Sequence, residues 1–229
     1  PIGKSTFFKG SISQEAITQV IGILEKYKKV LAEYDVAQVK GIATTAVREA
    51  SNKEIFVDTV SRKTGFAIEV LSVGDVIYYI DVYISHKLKD SYPIHNKNLI
   101  IAEIGAGSLD ISVMRKGFTV LNLGMPLGTL RLKQLMGKLD GSFEETLEAV
   151  QEYIECEFEH FKKISPRLQI DDIIFIDENL PYIQNFLQDK KETKDLYQLT
   201  KKDAAAILKL ANDLGPEELT RQYKIPKEV

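Results

Sequence analysis

An apolar run at residues 99–102 leads into Glu103-Ile104-Gly105-Ala106-Gly107-Ser108-Leu109-Asp110, so a buried strand delivers a carboxylate and two closely spaced glycines to one turn. Glycines at that spacing let backbone N–H groups come up to phosphate oxygens, while a carboxylate beside them can hold a divalent cation. The chemistry suggested is phosphate handling. Residues 111–114 then alternate like a second strand and end at Arg115-Lys116-Gly117, a hairpin signal. The glycines therefore lie between two strands, unlike Walker and Rossmann loops, which run from a strand into a helix. Plain turn glycines give the same pattern, and that alternative stays open at this point.

Two further segments carry groups suited to the same chemistry. Ala43-Thr44-Thr45-Ala46-Val47-Arg48 leaves a strand end with two hydroxyls and an arginine. Arg48 can fork onto a phosphate with Thr44 or Thr45 as neutral donors; a threonine helix cap followed by a solvated arginine has the same sequence. Asp75 follows Gly74 between a strand and an apolar segment. A carboxylate there can orient a water for attack on a phosphoryl group, or it can cap the next helix. Gly3-Lys4-Ser5-Thr6 ends like a Walker loop but has neither the upstream glycine nor the preceding strand, and reads as coincidence. His86, His95 and His160 are not spaced to gather on one metal. Lys190-Lys191 and Lys201-Lys202 read as solvated surface.

The elements that must position these groups follow from periodicity. Helical spacing predicts helices over residues 13–33, 54–63, 76–84, 130–136, 146–161, 180–187 and 201–214, with Ser13 as a cap and Gly65 as a stop. Apolar runs predict strands at 36–43, 67–71, 98–104, 110–114, 118–123 and 172–176. The alternation in the first half argues α/β, and the three strands that open the second half argue a meander. The polar stretch 87–97, with Pro93 and Asn96, marks a linker between residues 1–86 and 98–229. No internal repeat or low-complexity segment is present.

The 229 residues suffice for one large or two modest domains, and a hydrophobic share of 44% supports a core. A net charge of −3 with no basic stripe argues against a nucleic-acid surface. Cys156 is the only cysteine, which excludes an intrachain disulfide and a cysteine metal cluster. No charged-then-apolar leader and no apolar run of membrane-spanning length is seen, so a cytoplasmic address is expected.

Taken in order, these segments resemble the Ppx/GppA family of exopolyphosphatases and guanosine pentaphosphate phosphohydrolases. The features are Gly10-x-Ile12-Ser13 before a long helix, Ala43-Thr44-x-Ala46-x-Arg48-Glu49-Ala50-x-Asn52, and Glu69-Val70-Leu71-Ser72. They continue through the Glu103 glycine turn, Asn122-Leu123-Gly124-Met125-Pro126-Leu127-Gly128-Thr129-Leu130-Arg131-Leu132 and the closing Leu199-Thr200 helix. The resemblance implies an actin-like ATPase (ribonuclease H-like) α/β fold, two domains flanking a cleft. It implies Mg²⁺ and a glutamate-held water cutting terminal phosphate from polyphosphate or guanosine pentaphosphate, and a homodimer. Carried over by position, Arg48 contacts phosphate, Glu103 takes the metal side, and Gly105, Gly107 and Ser108 form the second phosphate loop. Asp75 takes the water-positioning place, and Asp110 falls where the family has glutamate.

The sequence also departs from the family pattern. The resemblance puts a D-x-G-S-N-S type phosphate loop ahead of Pro1, so the first domain, 1–86, is expected to be incomplete. The S-G-x-E-E-A pattern becomes Ser72-Val73-Gly74-Asp75-Val76-Ile77, with a base one methylene shorter. Ala106 replaces the central glycine of the turn, and Asp177-Glu178-Asn179-Leu180-Pro181 stands where a third glycine-rich loop is expected. Two functions are therefore carried forward: a phosphohydrolase of reduced activity, and an inactive relative that binds a phosphorylated ligand or a protein partner.

Overall fold

The computed structural model describes residues 2–177, 182, 192–193, 196–197, 199–214 and 216–225. The chain opens with α1 (Ile2–Lys9), which closes on Gly10 in the left-handed region at φ 74°. Helix α2 (Gln14–Glu33) starts at Ser13, whose hydroxyl accepts the Ala16 N–H at 3.2 Å. Strand β1 (Gly41–Ala43) runs into the short α3 (Thr45–Arg48), and α4 (Lys53–Thr64) ends on Gly65 at φ 80°. Strand β2 (Ile68–Val70) pairs parallel with β1. Helix α5 (Val73–Lys87) begins in a reciprocal capping box between Ser72 and Asp75.

In the second half, β3 (Asn98–Ile104), β4 (Leu109–Arg115) and β5 (Phe118–Met125) form an antiparallel meander. After α6 (Thr129–Met136) and α7 (Phe143–Ile164) the chain returns as β6 (Asp172–Ile176), parallel to β3, giving a mixed sheet of order β5-β4-β3-β6. The remaining described elements are the antiparallel pair β7 (Glu192–Thr193) and β8 (Leu196–Tyr197), then α8 (Lys201–Asp213) and α9 (Pro216–Tyr223).

The central strands β3 and β4 of the larger sheet are buried on both faces, which is why they read as near-continuous apolar runs. On one face Ile84 of α5 and Leu88 pack on Leu99, Ile101, Met114 and Ile174. On the other, Phe161 of α7 packs with Ala102, Leu109, Ile111, Val113, Met125 and Leu127. A separate core in the first half joins Ile12, Ile17, Val47, Ala50, Phe56 and Val60. Leu88 and Ile94, within the expected linker, are buried beneath the larger sheet.

The strand expected over 36–43 is corrected to Gly41–Ala43. Only those residues find a parallel partner, in Ile68–Val70, and without one Val36 and Val39 stand 43% and 46% exposed. The helix expected over 180–187 lies outside the described residues apart from Tyr182. The coincidental Gly3-Lys4-Ser5-Thr6 run forms part of α1.

Candidate functional site

Strands β3 and β4 pair as far as Ile104 and Leu109, so residues 105–108 form the hairpin turn, closed by the Gly105 N–H donating to Ser108 O at 2.9 Å. Helix α6 holds the turn by its carbonyls. The Thr129 N–H donates to Gly105 O at 3.1 Å, the Leu130 and Arg131 N–H groups to Ala106 O at 3.0 and 3.1 Å, and Arg131 Nε to Gly107 O at 2.7 Å. The helix thereby satisfies its own otherwise unpaired first-turn donors. The N–H groups of Ala106 and Gly107 have no hydrogen-bond acceptor among the described residues.

Neither Gly105 nor Gly107 has a positive φ; a Cβ on Gly105 would meet only ordinary contacts, from 3.5 Å, whereas Gly107 and Gly128 serve close approach. A Cβ on Gly107 would run into the Phe7 ring and stand 2.8 Å from Thr45 Cγ2, and one on Gly128 would overlap the backbone of Gly107. Ala106 is exposed, so its methyl sits outside this packing.

Helix α3 lays the arginine segment against the turn. The hydroxyls of Thr45 and Ser108, both buried, hydrogen-bond at 3.1 Å. Arg48 is half-buried; its Nη2 donates to Thr45 Oγ1 and its Nη1 to Leu71 O, each at 3.0 Å, which ties it to the residue preceding the α5 cap. Thr44 is exposed and makes no side-chain cap bond. Of the two threonines it is Thr45 that is built into the site. Glu49 receives Arg131 Nη2 at 2.5 Å, and the Arg131 guanidinium lies 4.6 Å from the centre of the Phe7 ring.

The carboxylates fall into two environments. Glu103 stands opposite Asp110 in the β3–β4 register, so both leave the sheet on the same face. The Glu103 carboxylate runs along the turn, 3.5 Å from the position a Cβ on Gly105 would take. Asp110 is only 4% exposed, and its Oδ1 has no hydrogen-bond partner among the described residues. Burial pushes the Asp110 carboxyl up, opposed by the Ser108 hydroxyl and the Arg48 charge. Gly124 makes the room: a Cβ there would stand 2.9 Å from both Asp110 Oδ1 and Val73 Cγ1.

Asp75 is exposed. Its carboxylate accepts the Ser72 N–H at 2.9 Å and the Ser72 hydroxyl at 2.6 Å, and these bonds hold it below the ordinary carboxylate range. The capping role is therefore present in the structure, at the end of α5 that Arg48 reaches through Leu71.

The structure thus brings Arg48, Gly105, Gly107 and Ser108 into one cluster with Asp110 behind it. Glu103 lies along the turn, and Asp75 sits at the adjoining helix end. Among the described residues no three of His, Cys, Asp and Glu gather as a metal cage. Of the segment 177–181 only Asp177 is described. Arg131, Glu49 and Phe7 were not singled out by spacing. Their only sequence trace is that Glu49 and Arg131 lie within the two motif runs, and Phe7 has none.

The sheets and the helices packed on them, with a glycine turn between β3 and β4, define a protein of the α/β class. Within that class the chain belongs to the Ppx/GppA phosphatase family, whose sequence profile matches residues 2–171. A bifunctional 3-dehydroquinate synthase/phosphatase from Fusobacterium nucleatum is 27% identical over 174 residues, covering 72% of this chain and 25% of that protein. Exopolyphosphatase 1 from Mycobacterium tuberculosis is 24% identical over 131 residues, covering 57% of this chain and 37% of its own length. The chain thus spans between 25% and 37% of the length of these relatives. Among solved structures, an exopolyphosphatase from Cytophaga hutchinsonii superposes with a TM-score of 0.76 at 19% identity, over 99% of this chain and 73% of that one. The Aquifex aeolicus family member superposes at 0.71 with 21% identity, over 100% and 72%. These likenesses show the fold.

Proposed function

We propose that this chain carries a phosphate site of a phosphohydrolase that releases terminal phosphate from polyphosphate or guanosine pentaphosphate. The observation that carries this reading is the Thr45–Ser108 hydrogen bond, which sets the half-buried Arg48 beside the Gly105–Ser108 turn. The N–H groups of Ala106 and Gly107, without an acceptor among the described residues, add donors for phosphate oxygens. Family membership and the exopolyphosphatase relatives support the same reaction class.

In this reading Arg48 binds and orients the phosphate, Gly105 and Gly107 keep the turn close to it, and Ser108 fixes the turn to Thr45. Glu103 and Asp110 would hold Mg²⁺. Their hard oxygen donors suit it, Asp110 has an unpartnered buried oxygen, and this ion ordinarily takes one or two carboxylates together with substrate phosphate. Held there, Mg²⁺ would supply Lewis-acid stabilisation of the negative charge that builds on the phosphate. Asp75 would orient the attacking water from the start of α5. Among the described residues no helix is long and apolar enough to cross a membrane.

One observation favours a second reading, an inactive relative that binds a phosphorylated ligand or a protein partner. The Asp75 carboxylate is engaged by Ser72 and made a weaker base, and it is one methylene shorter than glutamate. A water held about 1 Å out of place costs on the order of a hundredfold in rate. Phosphate release from long-chain polyphosphate and from guanosine pentaphosphate with Mg²⁺ separates the readings. Release abolished by Arg48→Ala is expected; binding without release, weakened by the same substitution, establishes the second reading with a phosphorylated ligand, and neither binding nor release overturns the phosphate site and leaves only the protein-partner role.

A further inference from the structure

Asp81 interrupts the face by which α5 covers the larger sheet. It lies between Ile77 and Ile84, which are 1% and 6% exposed, and is itself 9% exposed. Its Oδ2 accepts Ser112 Oγ of β4 at 2.9 Å and Thr119 Oγ1 of β5 at 2.7 Å. Its Oδ1 is buried with no hydrogen-bond partner among the described residues. Burial pushes its carboxyl up, the two hydroxyls oppose that, and no cation contributes.

Such a group is costly to bury, and apolar residues of similar volume would pack at least as well. What the polar arrangement adds is direction. Apolar helix-on-sheet contacts leave sliding and rotation soft, whereas one side chain bonded to two neighbouring strands selects one axial position and one rotation. Both ends of this arrangement lead to the candidate site. Six residues back along α5, about 9 Å of helix rise, lies Asp75, with Leu71 O bound by Arg48 just before the cap. Two residues back along β4 from Ser112, on the same face, lies Asp110, and just before that strand lies Ser108, bonded to Thr45.

We propose that Asp81 is a positioning residue that sets the register of α5 against β4, and so holds Arg48 and Asp75 in place against the glycine turn. The structural part stands alone, and only its effect on hydrolysis rests on the function proposed above. Asp81→Asn retains an oxygen able to accept both hydroxyls, whereas Asp81→Leu with Ser112→Val and Thr119→Val replaces the polar junction by an apolar one.

Thermal unfolding, amide hydrogen exchange and tripolyphosphate titration are measured on all three proteins. The apolar variant is expected to keep or raise the melting temperature. Its Gly105 and Asp75 amides should exchange at least tenfold faster, and it should bind tripolyphosphate about tenfold more weakly. Asp81→Asn should match the wild type in exchange and binding. Unchanged exchange and binding in the apolar variant overturn the proposal. If that variant does not fold, the pair Ser112→Ala and Thr119→Ala replaces it. Exchange at Gly105 and Asp75 that rises no more than at Ile100 and Ala102 then overturns the proposal. Because exchange and tripolyphosphate binding do not require turnover, absence of phosphate release from the wild type counts against the phosphohydrolase reading alone.

Discussion

Between residues 98 and 176 the central strands of a four-stranded sheet are covered on both faces, and Leu99, Ile101 and Val113 are at most 1% exposed. Between residues 41 and 70 two parallel strands of three residues each pair only with one another, and Ile42 is 59% exposed. Both regions feed one cluster, the 41–70 region supplying Arg48 and the larger sheet the glycine turn. A two-stranded sheet has little stability of its own. Beyond its own core at Val47 and Ala50, the arginine segment is therefore oriented by two polar ties to the platform, Thr45 to Ser108 and Glu49 to Arg131, while Arg48 bonds to Leu71 O within its own region. A strong platform can lend order to a weak one when the links are directional and partly shielded from water.

The comparison breaks most completely at Gly107. A valine there collides with Phe7 and Thr45. It is expected to cost about 1–3 kcal/mol by overpacking and to abolish tripolyphosphate binding, measured by denaturant unfolding and calorimetry. Arg131→Ala is expected to cost roughly 1.5–3 kcal/mol, the range for hydrogen bonds to a charged group. It should speed amide exchange at Val47 and Arg48 more than in β3, and equal acceleration in both would mean that the arginine segment does not depend on this tie. Thr45→Val, Ser108→Ala and the double variant should show a coupling of about 1 kcal/mol, and additive effects would remove that bond from the account.

The acids sharpen the contrast through pH. Burial raises the folded-state values of Asp81 and Asp110 above the ordinary 3.8. Their contribution to stability is full below that value and is lost as pH rises through the raised ones, so Asp110→Asn should flatten the fall in melting temperature across that window. Asp75 is shifted the other way by Ser72. Its contribution is present above the ordinary value and is lost as pH falls through the lowered one. Asp75→Asn should therefore lower the melting temperature slightly at pH 7, with the difference vanishing in strong acid.

Much of the platform is legible in the sequence because its elements are long and periodic. The helix after Ser13, the stop at Gly65 and the strands on either side of Gly105 stand within a few residues of where spacing puts them. Strand β1 is shorter than the apolar run from residue 36 predicts, because such a run looks the same with or without a neighbouring strand and pairing is not encoded locally. Helix α3 has only four residues, too few for a helical period to register. The phosphate-type turn is visible from glycine spacing, yet the reason Gly107 must be glycine, the Phe7 ring and Thr45, comes from contacts distant in sequence. Asp81 is visible as an acid in an apolar helix, but the hydroxyls that receive it lie on two strands whose register only the folded chain sets.

The central claim is that Arg48 and the glycine turn act on one phosphate group. Calorimetric titration of tripolyphosphate into wild type, Arg48→Met, Ser108→Ala and the double variant tests it most directly. Each single substitution should weaken binding at least tenfold, and the double should lose less than the product of the two because both act on the same ligand. Wild-type affinity retained in Arg48→Met, or strict additivity in the double variant, would contradict it.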